Sequence, residues 1–157
     1  MPRLYRQITA LILALVIAAA GATVSYSQTR AGDADQIVGT VVRFSAGSTF
    51  VDLTIGEDNP TVRDFLSLLP LTMTIEEYAG REKIGYFERK LATEGSPGSD
   101  PEDGDLIYFV PWGNIGFYYN TAGVGFSNQT VHIGKYDASP EQLQQLEGKP
   151  VSVEIVR

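Results

Sequence analysis

The chain first alternates apolar and polar positions with a period of two, which is typical of β-strands. Segments 37–44 (IVGTVVRF) and 49–55 (TFVDLTI) are rich in β-branched and aromatic residues, and the turn-forming residues SAGS separate them. In the second segment Val51, Leu53 and Ile55 alternate with polar residues. The pattern therefore predicts a β-hairpin whose second strand has one solvent-exposed face.

The period changes to that of a helix in segment 58–70 (DNPTVRDFLSLLP). Asn59 is a suitable N-cap, Pro60 fits the first helical turn, and Pro70 ends the helix. A helix of about three turns then packs its apolar stripe on the sheet. The stripe consists of residues at i, i+3, i+4 and i+7, namely Val62, Phe65, Leu66 and Leu69.

The rest of the chain predicts one more helix and six more strands. Segment 139–148 (SPEQLQQLEG) combines a Ser139 N-cap, a capping box completed by Gln142, and a terminating Gly148. Eight mostly antiparallel strands can close into a barrel filled by its own side chains. We therefore predict a mainly β fold, a closed eight-stranded barrel with two short helices that close its ends or cover its flank. The six further strands are 71–75, 83–91, two within 105–120, 130–136 and 150–156.

Segment 105–120 (DLIYFVPWGNIGFYYN) predicts a hairpin whose first strand is apolar on both faces and therefore covered on both sides. The only tryptophan, Trp112, lies on its turn. The second strand has one apolar face and one polar face with a gap at Gly116, which indicates a bulge or a close approach by another group. Two interpretations follow. Trp112 closes one end of the barrel, which we favour, or Trp112, Asn114 and Tyr118 line a shallow groove.

Residues 1–27 have the three parts of a secretory signal peptide. These are a basic head with Arg3 and Arg6, a non-charged run over residues 8–20, and small residues before Gln28. We expect cleavage before Gln28, which leaves a polar spacer behind the apolar run.

Two alternatives to this cleavage remain open. The cut can fall earlier, after Ala22, and the segment can also stay as an uncleaved anchor, since residues 8–24 approach the length of a membrane span. In our interpretation residues 28–36 are a linker and residues 37–157 are a single domain. The mature protein is then exported, periplasmic or extracellular, and has no membrane contact after cleavage.

Charge and cysteine content restrict the class of protein. The chain has 12 basic and 19 acidic residues, a net charge of −7, and loss of Arg3 and Arg6 with the signal peptide leaves a net charge of −9. An acidic domain without a basic stripe is a poor binder of nucleic acid and of anionic membranes. Because the chain has no cysteine, an exported domain relies on apolar burial rather than on disulfides.

Three stretches resemble the bacterial cyclophilin-like family of small barrel domains: DNPTVRDFLSLLPLTMTIEEYAGREKIGYFERKL, GDLIYFVPWGNIGFYY, and VHIGKYD followed by a short helix. The resemblance covers about residues 37–157 and implies a closed eight-stranded barrel with two helices. The motifs of the prolyl-isomerase cyclophilins, such as an arginine and a phenylalanine on one strand and a Phe-Met-x-Gln run, have no counterpart here. The resemblance therefore implies the fold and leaves the activity open.

No catalytic constellation or metal site stands out, and we predict no catalytic residue, no metal and no cofactor. His132, the only histidine, alternates with apolar neighbours and is expected to face outward from a strand. Without cysteine or a second histidine a zinc site would depend on carboxylates, and no nucleophile elbow accompanies Ser127. The acidic loop with Asp100, Asp103 and Asp105 lacks the spacing of a calcium loop, so we expect it to be solvated.

Two groups of charged residues bear on a ligand site. Arg81, Glu82 and Lys83 follow a glycine at a strand start, and we interpret them as a solvated edge of the sheet. Arg63 lies beside the apolar stripe of the first helix, where it either pairs with a nearby carboxylate or points its guanidinium at a ligand. The candidate ligand-binding residues are therefore Arg63, Trp112, Asn114 and Tyr118.

Two functions from different classes fit these observations. We favour a non-catalytic binding module. Its ligand, an unidentified small molecule or peptide, would lie along the groove near Trp112. The alternative is a divergent prolyl isomerase that acts on exported proteins and needs an apolar proline pocket and a donor such as Arg63 or Arg89. An arginine and a phenylalanine beside one apolar pocket would favour the isomerase.

Overall fold

The computed structural model describes residues 36–157. The predicted signal peptide, its cleavage site and nearly all of the predicted linker lie outside the described residues. Over residues 36–157 no helix has the length and apolar character required to span a membrane.

The fold is a closed barrel of eight strands with two short helices, which confirms the predicted architecture. All strand pairs are antiparallel, and their order around the barrel is β1-β2-β7-β5-β6-β4-β3-β8. The elements are β1 (Val41–Ala46), β2 (Thr49–Ile55), α1 (Pro60–Ser67), β3 (Leu71–Tyr78), β4 (Glu82–Tyr86), β5 (Asp105–Phe109), β6 (Asn114–Tyr118), β7 (Thr130–Tyr136), α2 (Pro140–Gln144) and β8 (Pro150–Ile155).

The first and last strands close the barrel. Phe44 of β1 pairs with Val51 of β2 on one side and with Val153 of β8 on the other, so the sheet has no free edge there. Because side chains alternate along each strand and the barrel is closed, one face of every strand points into the barrel.

Aromatic and branched side chains fill the interior of the barrel. Phe117 meets Phe44 and Tyr136 edge to face, with ring centroids 4.9 Å and 5.3 Å apart. Gly85 makes room for this packing, because a Cβ there would lie 2.7 Å from the sulfur of Met73 and 2.8 Å from Cδ1 of Ile75. The interior of the barrel is therefore a closely packed core.

Local signals determine both helices. The Asn59 side chain accepts a hydrogen bond from the Val62 amide, and the predicted capping box of Ser139 and Gln142 is present. These bonds satisfy amides that have no partner within the helix. Both N-cap predictions are confirmed, although the helices are shorter than the predicted segments.

The strand predicted over 83–91 is shorter than expected, because β4 ends at Tyr86. Beyond it, the Leu91 amide donates to the buried Tyr108 hydroxyl at 2.9 Å, and the Ala92 amide donates to Asp64 at 2.7 Å. The backbone in this region bonds to side chains rather than to a neighbouring strand, so the sheet ends here.

Candidate functional site

The outer surface of the β3-β4-β6-β5 part of the barrel carries an ordered set of side chains, which we call the outer face. Residues directly paired on neighbouring antiparallel strands point to the same side of a sheet. The residues of the outer face alternate with the core side chains of the same strands and therefore point away from the barrel interior. The pairings define three rows: Tyr78, Glu82 and Tyr118; then Glu76, Ile84, Gly116 and Ile107; then Tyr86, Asn114 and Phe109.

Trp112 lies across this outer face. Its ring meets Tyr78 of the first row at a centroid distance of 5.2 Å and Phe109 of the third row at 5.5 Å, both edge to face. The indole therefore spans the middle row, where Ile84 and Ile107 are buried without belonging to the barrel core. These contacts build a second small apolar cluster on the outside of the barrel.

The rings on the outer face form an aromatic patch, made of Tyr78, Tyr86, Phe109, Trp112 and Tyr118. Three of its rings are substantially exposed: Tyr78 is 38%, Tyr86 51% and Trp112 46% accessible. Large adjacent apolar groups that remain open to solvent mark a binding surface more often than isolated ones do.

Glu82 is buried beneath this aromatic patch, with 7% of its surface accessible. Its carboxyl group lies over Gly116, where an added Cβ would be only 2.0 Å from Oε2. Tyr118 pairs with Glu82 across β6 and β4, and its hydroxyl favours the ionised carboxyl group. Burial raises the pKa of Glu82 to about 7, and Arg81 and the Tyr118 hydroxyl oppose this rise.

The interpretation of Arg81, Glu82 and Lys83 as a solvated edge is wrong, because Glu82 and Lys83 are both buried. β4 lies between β3 and β6 in a closed barrel and therefore has no edge. Glu82 points to the outer face, and the aromatic patch covers it.

Lys83 points to the opposite side of β4 from Glu82. Its ammonium group donates to Glu77 at 2.5 Å and also to Glu147, and it lies 5.5 Å from the centre of the Tyr119 ring. Burial alone would lower the pKa of Lys83, but the hydrogen bonds to Glu147 and Glu77 raise it. This lysine is therefore a buried cation with two carboxylate partners, which joins β3, β4 and the segment after α2.

Of the four predicted site residues, the structure brings Trp112 and Tyr118 together on the outer face. Asn114 lies on the same face but is buried, and its Nδ2 donates to the Ile115 carbonyl at 3.1 Å. Asn114 is therefore a support of the β5–β6 turn rather than a wall of an open groove. The interpretation of Trp112 as the closure of a barrel end is wrong, because its ring is half exposed and contacts the outer face.

Arg63, the fourth predicted site residue, lies on α1. Its guanidinium makes two hydrogen bonds to the Asp58 carboxylate, at 2.7 Å and 2.8 Å, as expected for pairing with a loop carboxylate. Arg89 is held in the same way by Asp64, with two hydrogen bonds of 2.7 Å. The Arg89 guanidinium and the Ala92 amide lower the pKa of Asp64 to about 2.

Phe87 and Arg89 line a cleft of about 630 Å³ between the start of β3 and the segment that follows β4. Its walls include the apolar residues Leu68, Pro70 and Leu71. An arginine and a phenylalanine do therefore lie beside one apolar cleft, which adjoins the aromatic patch because Tyr86 lines it too.

His132 lies on the outward side of β7, paired with Ile107. Its ring nitrogens are 3.4 Å from Glu57 and 3.5 Å from Asp105. Asp105 also accepts a hydrogen bond from Lys135 at 2.8 Å, and Asp103 accepts two from Thr121. Within residues 36–157 no group of three or more histidine and acidic side chains is arranged to hold a metal ion.

The sequence analysis missed Glu82, Tyr78 and Phe109 as members of the site. The sequence held one signal for the pair Tyr78 and Glu82. If the short connection at residues 79–81 is taken as a hairpin turn, these two residues lie opposite each other. The contact of this pair with Trp112 depends on the order of the strands around the barrel, which no local pattern carries.

The architecture is that of a small barrel with a closed core and an aromatic patch on its outer face. Comparison with families shows that residues 44–156 match the cyclophilin-like family, and the chain belongs to this family.

A solved structure supports the same fold. The solution structure of a hypothetical protein from Archaeoglobus fulgidus is similar, with a TM-score of 0.62 and 21% sequence identity. The similarity covers 78% of this chain and 98% of that protein. Comparison with curated proteins found no match.

Proposed function

We propose that the protein is an exported, non-catalytic binding module whose ligand, a small molecule or a peptide segment, lies on the aromatic patch. The observation that carries this proposal is the half-exposed Trp112, held edge to face between Tyr78 and Phe109. Tryptophan and tyrosine offer large rigid contact area at a low entropic cost, and they dominate the energy of many binding surfaces.

The packing beneath the patch supports a preorganised surface. Ile84 and Ile107 are buried under the rings, and Trp112 is fixed by two aromatic contacts. A surface whose side chains are already fixed loses little conformational entropy when a ligand binds. The patch therefore has the features of a recognition surface before any ligand arrives.

Trp112 is also the reporter for the test, because it is the only tryptophan in the chain. Its indole N–H gives a single signal in a proton–nitrogen NMR spectrum. We would titrate the protein with benzyl alcohol, N-acetylprolinamide, choline and the uncharged tert-butyl analogue of choline. We expect at least one probe to shift this signal together with the amides of Tyr78 and Tyr118.

The matched control is Phe50→Ala. Phe50 is another exposed aromatic residue, 50% accessible, which lies on β2 under the Arg43 guanidinium. Phe50→Ala should leave probe binding unchanged, whereas Trp112→Ala should weaken it at least about tenfold, as truncation of a central interface aromatic typically does. Absence of any shift at the patch with all four probes would overturn the proposal.

A second candidate, a prolyl isomerase acting on exported proteins, is favoured by one observation. Phe87 and Arg89 line a cleft with the apolar residues Leu68 and Leu71, which is the combination that this chemistry needs. The Arg89 guanidinium is, however, held by the Asp64 carboxylate, which competes with a substrate amide for its N–H groups.

The isomerase is tested with a proline-containing chromogenic peptide. Activity above the uncatalysed rate that is lost in Arg89→Gln and retained in Trp112→Ala would support catalysis in this cleft. A rate equal to the uncatalysed one would leave the binding module as the function.

A further inference from the structure

The buried carboxyl group of Glu82 indicates which ligand the aromatic patch takes. Other buried charges are paired: Lys83 bonds to two carboxylates, and Asp105 bonds to Lys135. Within the described part of the chain Glu82 forms no salt bridge, although the charge of Arg81 and the neutral Tyr118 hydroxyl both act on it. A buried carboxylate without a cationic partner is costly, so a cation that reached it would be bound favourably.

The rings of Trp112 and Tyr78 form a corner, and Tyr78 is the strand partner of Glu82. The planes of Tyr78 and Trp112 stand at 87° with their centroids 5.2 Å apart, so each plane is one wall. A cation placed against the face of an aromatic ring is attracted by the negative charge on that face, and most strongly by tryptophan. Two perpendicular walls let one cation contact two ring faces at once.

The charges around the corner favour a positive ligand. Glu76 lies next to Ile84 on the outer face, and Glu77 acts on Glu82 through its charge. The chain as a whole carries a net charge of −7. The basic neighbour, Arg81, donates one of its N–H groups to the Ala122 carbonyl at 3.2 Å.

We propose that the corner between Trp112 and Tyr78 binds an organic ammonium group, with the two ring faces contacting the cation and Glu82 supplying the opposite charge. The proposal rests on the binding function proposed above and names the class of its ligand. The same chemistry is present in a small quaternary amine and in a lysine side chain of a peptide, and the experiment below separates these two sources.

Binding should depend on pH because Glu82 must be ionised to attract the cation. Since burial raises its pKa to about 7, the empty site is largely neutral at pH 6 and largely ionised at pH 8. The pKa of Glu77 is lowered and that of Tyr118 is raised, so neither group changes charge in this interval. Affinity should therefore rise about tenfold from pH 6 to pH 8. The titratable or charged groups that act on Glu82 or lie beside it on the outer face are Glu76, Glu77, Tyr78, Arg81 and Tyr118, whereas Lys83 points to the opposite side of β4.

The experiment compares choline with its uncharged tert-butyl analogue, which has nearly the same shape. Dissociation constants come from Trp112 fluorescence and from the Trp112 indole NMR signal, at constant ionic strength and at pH 6 and pH 8. We expect choline to bind at least about tenfold more tightly than the analogue at pH 8, as a cation–π contact near a carboxylate should allow. A parallel titration with N-acetyl-lysinamide distinguishes a peptide source from a small amine.

Two variants test the role of Glu82. Glu82→Gln keeps the shape of the side chain and should abolish the pH dependence and reduce the preference for choline to the part that the ring faces supply. Gly116→Ala keeps the carboxyl group but pushes it from its position, because the added Cβ would be 2.0 Å from Oε2. It should weaken choline binding and leave the uncharged analogue unaffected.

Three results would overturn the inference, and they separate its failure from that of the proposed function. Equal affinity for choline and its uncharged analogue would refute the cation while leaving the aromatic patch as a binding surface. No response to either compound or to the lysine derivative, with a response to benzyl alcohol or N-acetylprolinamide, would also refute the cation alone. Failure of every probe would refute the proposed function itself.

Discussion

Replacing Glu82 by glutamine should stabilise the protein in a pH-dependent way. The carboxyl group has a pKa of about 7 in the folded protein and an ordinary value of 4.5 when exposed. Between these values the unfolded chain binds fewer protons than the folded protein, so the free energy of unfolding falls as the pH rises from 4.5 through 7.

The magnitude follows from the difference between the two pKa values. One pKa unit corresponds to about 1.4 kcal/mol, so the complete difference corresponds to about 3 kcal/mol. Residual solvent screening of the carboxyl group reduces this value to about 2 kcal/mol. Such a cost is a large part of the 5–15 kcal/mol that is typical of a domain.

Urea unfolding at pH 5 and pH 8, followed by far-ultraviolet circular dichroism, measures this contribution. Glu82→Gln should exceed the wild type by about 2 kcal/mol at pH 8 and should match it closely at pH 5, where the carboxyl group is neutral. The control is Glu76→Gln, an exposed neighbour on the same outer face, which should change little at either pH. If wild type and Glu82→Gln showed the same pH dependence, the carboxyl group would not be buried in its neutral form.

Three further predictions concern the patch, the core and the first helix. Trp112→Ala should lower the free energy of unfolding in urea by about 1–2 kcal/mol, because the ring is half exposed. Phe117→Ala in the barrel interior should lower it by about 3–5 kcal/mol. Equal losses would refute the placement of Trp112. Tyr118→Phe should raise the pKa of Glu82 further, because the Tyr118 hydroxyl favours the ionised carboxyl group and the variant lacks it. Carbon NMR of the carboxyl group measures this pKa, and an unchanged titration would contradict the contact. Asn59→Ala should lower the free energy of unfolding by about 1 kcal/mol through loss of the helix cap, and Asn59→Ser, which keeps a capping oxygen, should retain most of it.

The sequence determined the local elements of the structure. The caps at Asn59 and Ser139 were predictable because each side chain bonds to an amide only three residues away. The strands were predictable from their period of two, and segments 49–55 and 130–136 match β2 and β7 in full. The family resemblance implied how these strands close, and the barrel confirmed it.

The candidate site was only partly predictable. Alternation places Asn114, Gly116 and Tyr118 on one side of a strand, but it does not tell whether that side is open or covered. Trp112 and Tyr118 lie on the same outer face, while Asn114 is buried beneath it.

Only the tertiary structure decided the surroundings of Glu82. In sequence this residue lies between two basic residues and resembles part of a solvated turn, as Arg81-Glu82-Lys83. Its carboxyl group lies against Gly116 and Tyr118, more than thirty residues later in the chain, because β4 and β6 pair in the closed barrel. Periodicity and capping are properties of neighbouring residues, whereas the desolvation that raises the pKa of Glu82 depends on strand order and on which side chains cover the outer face.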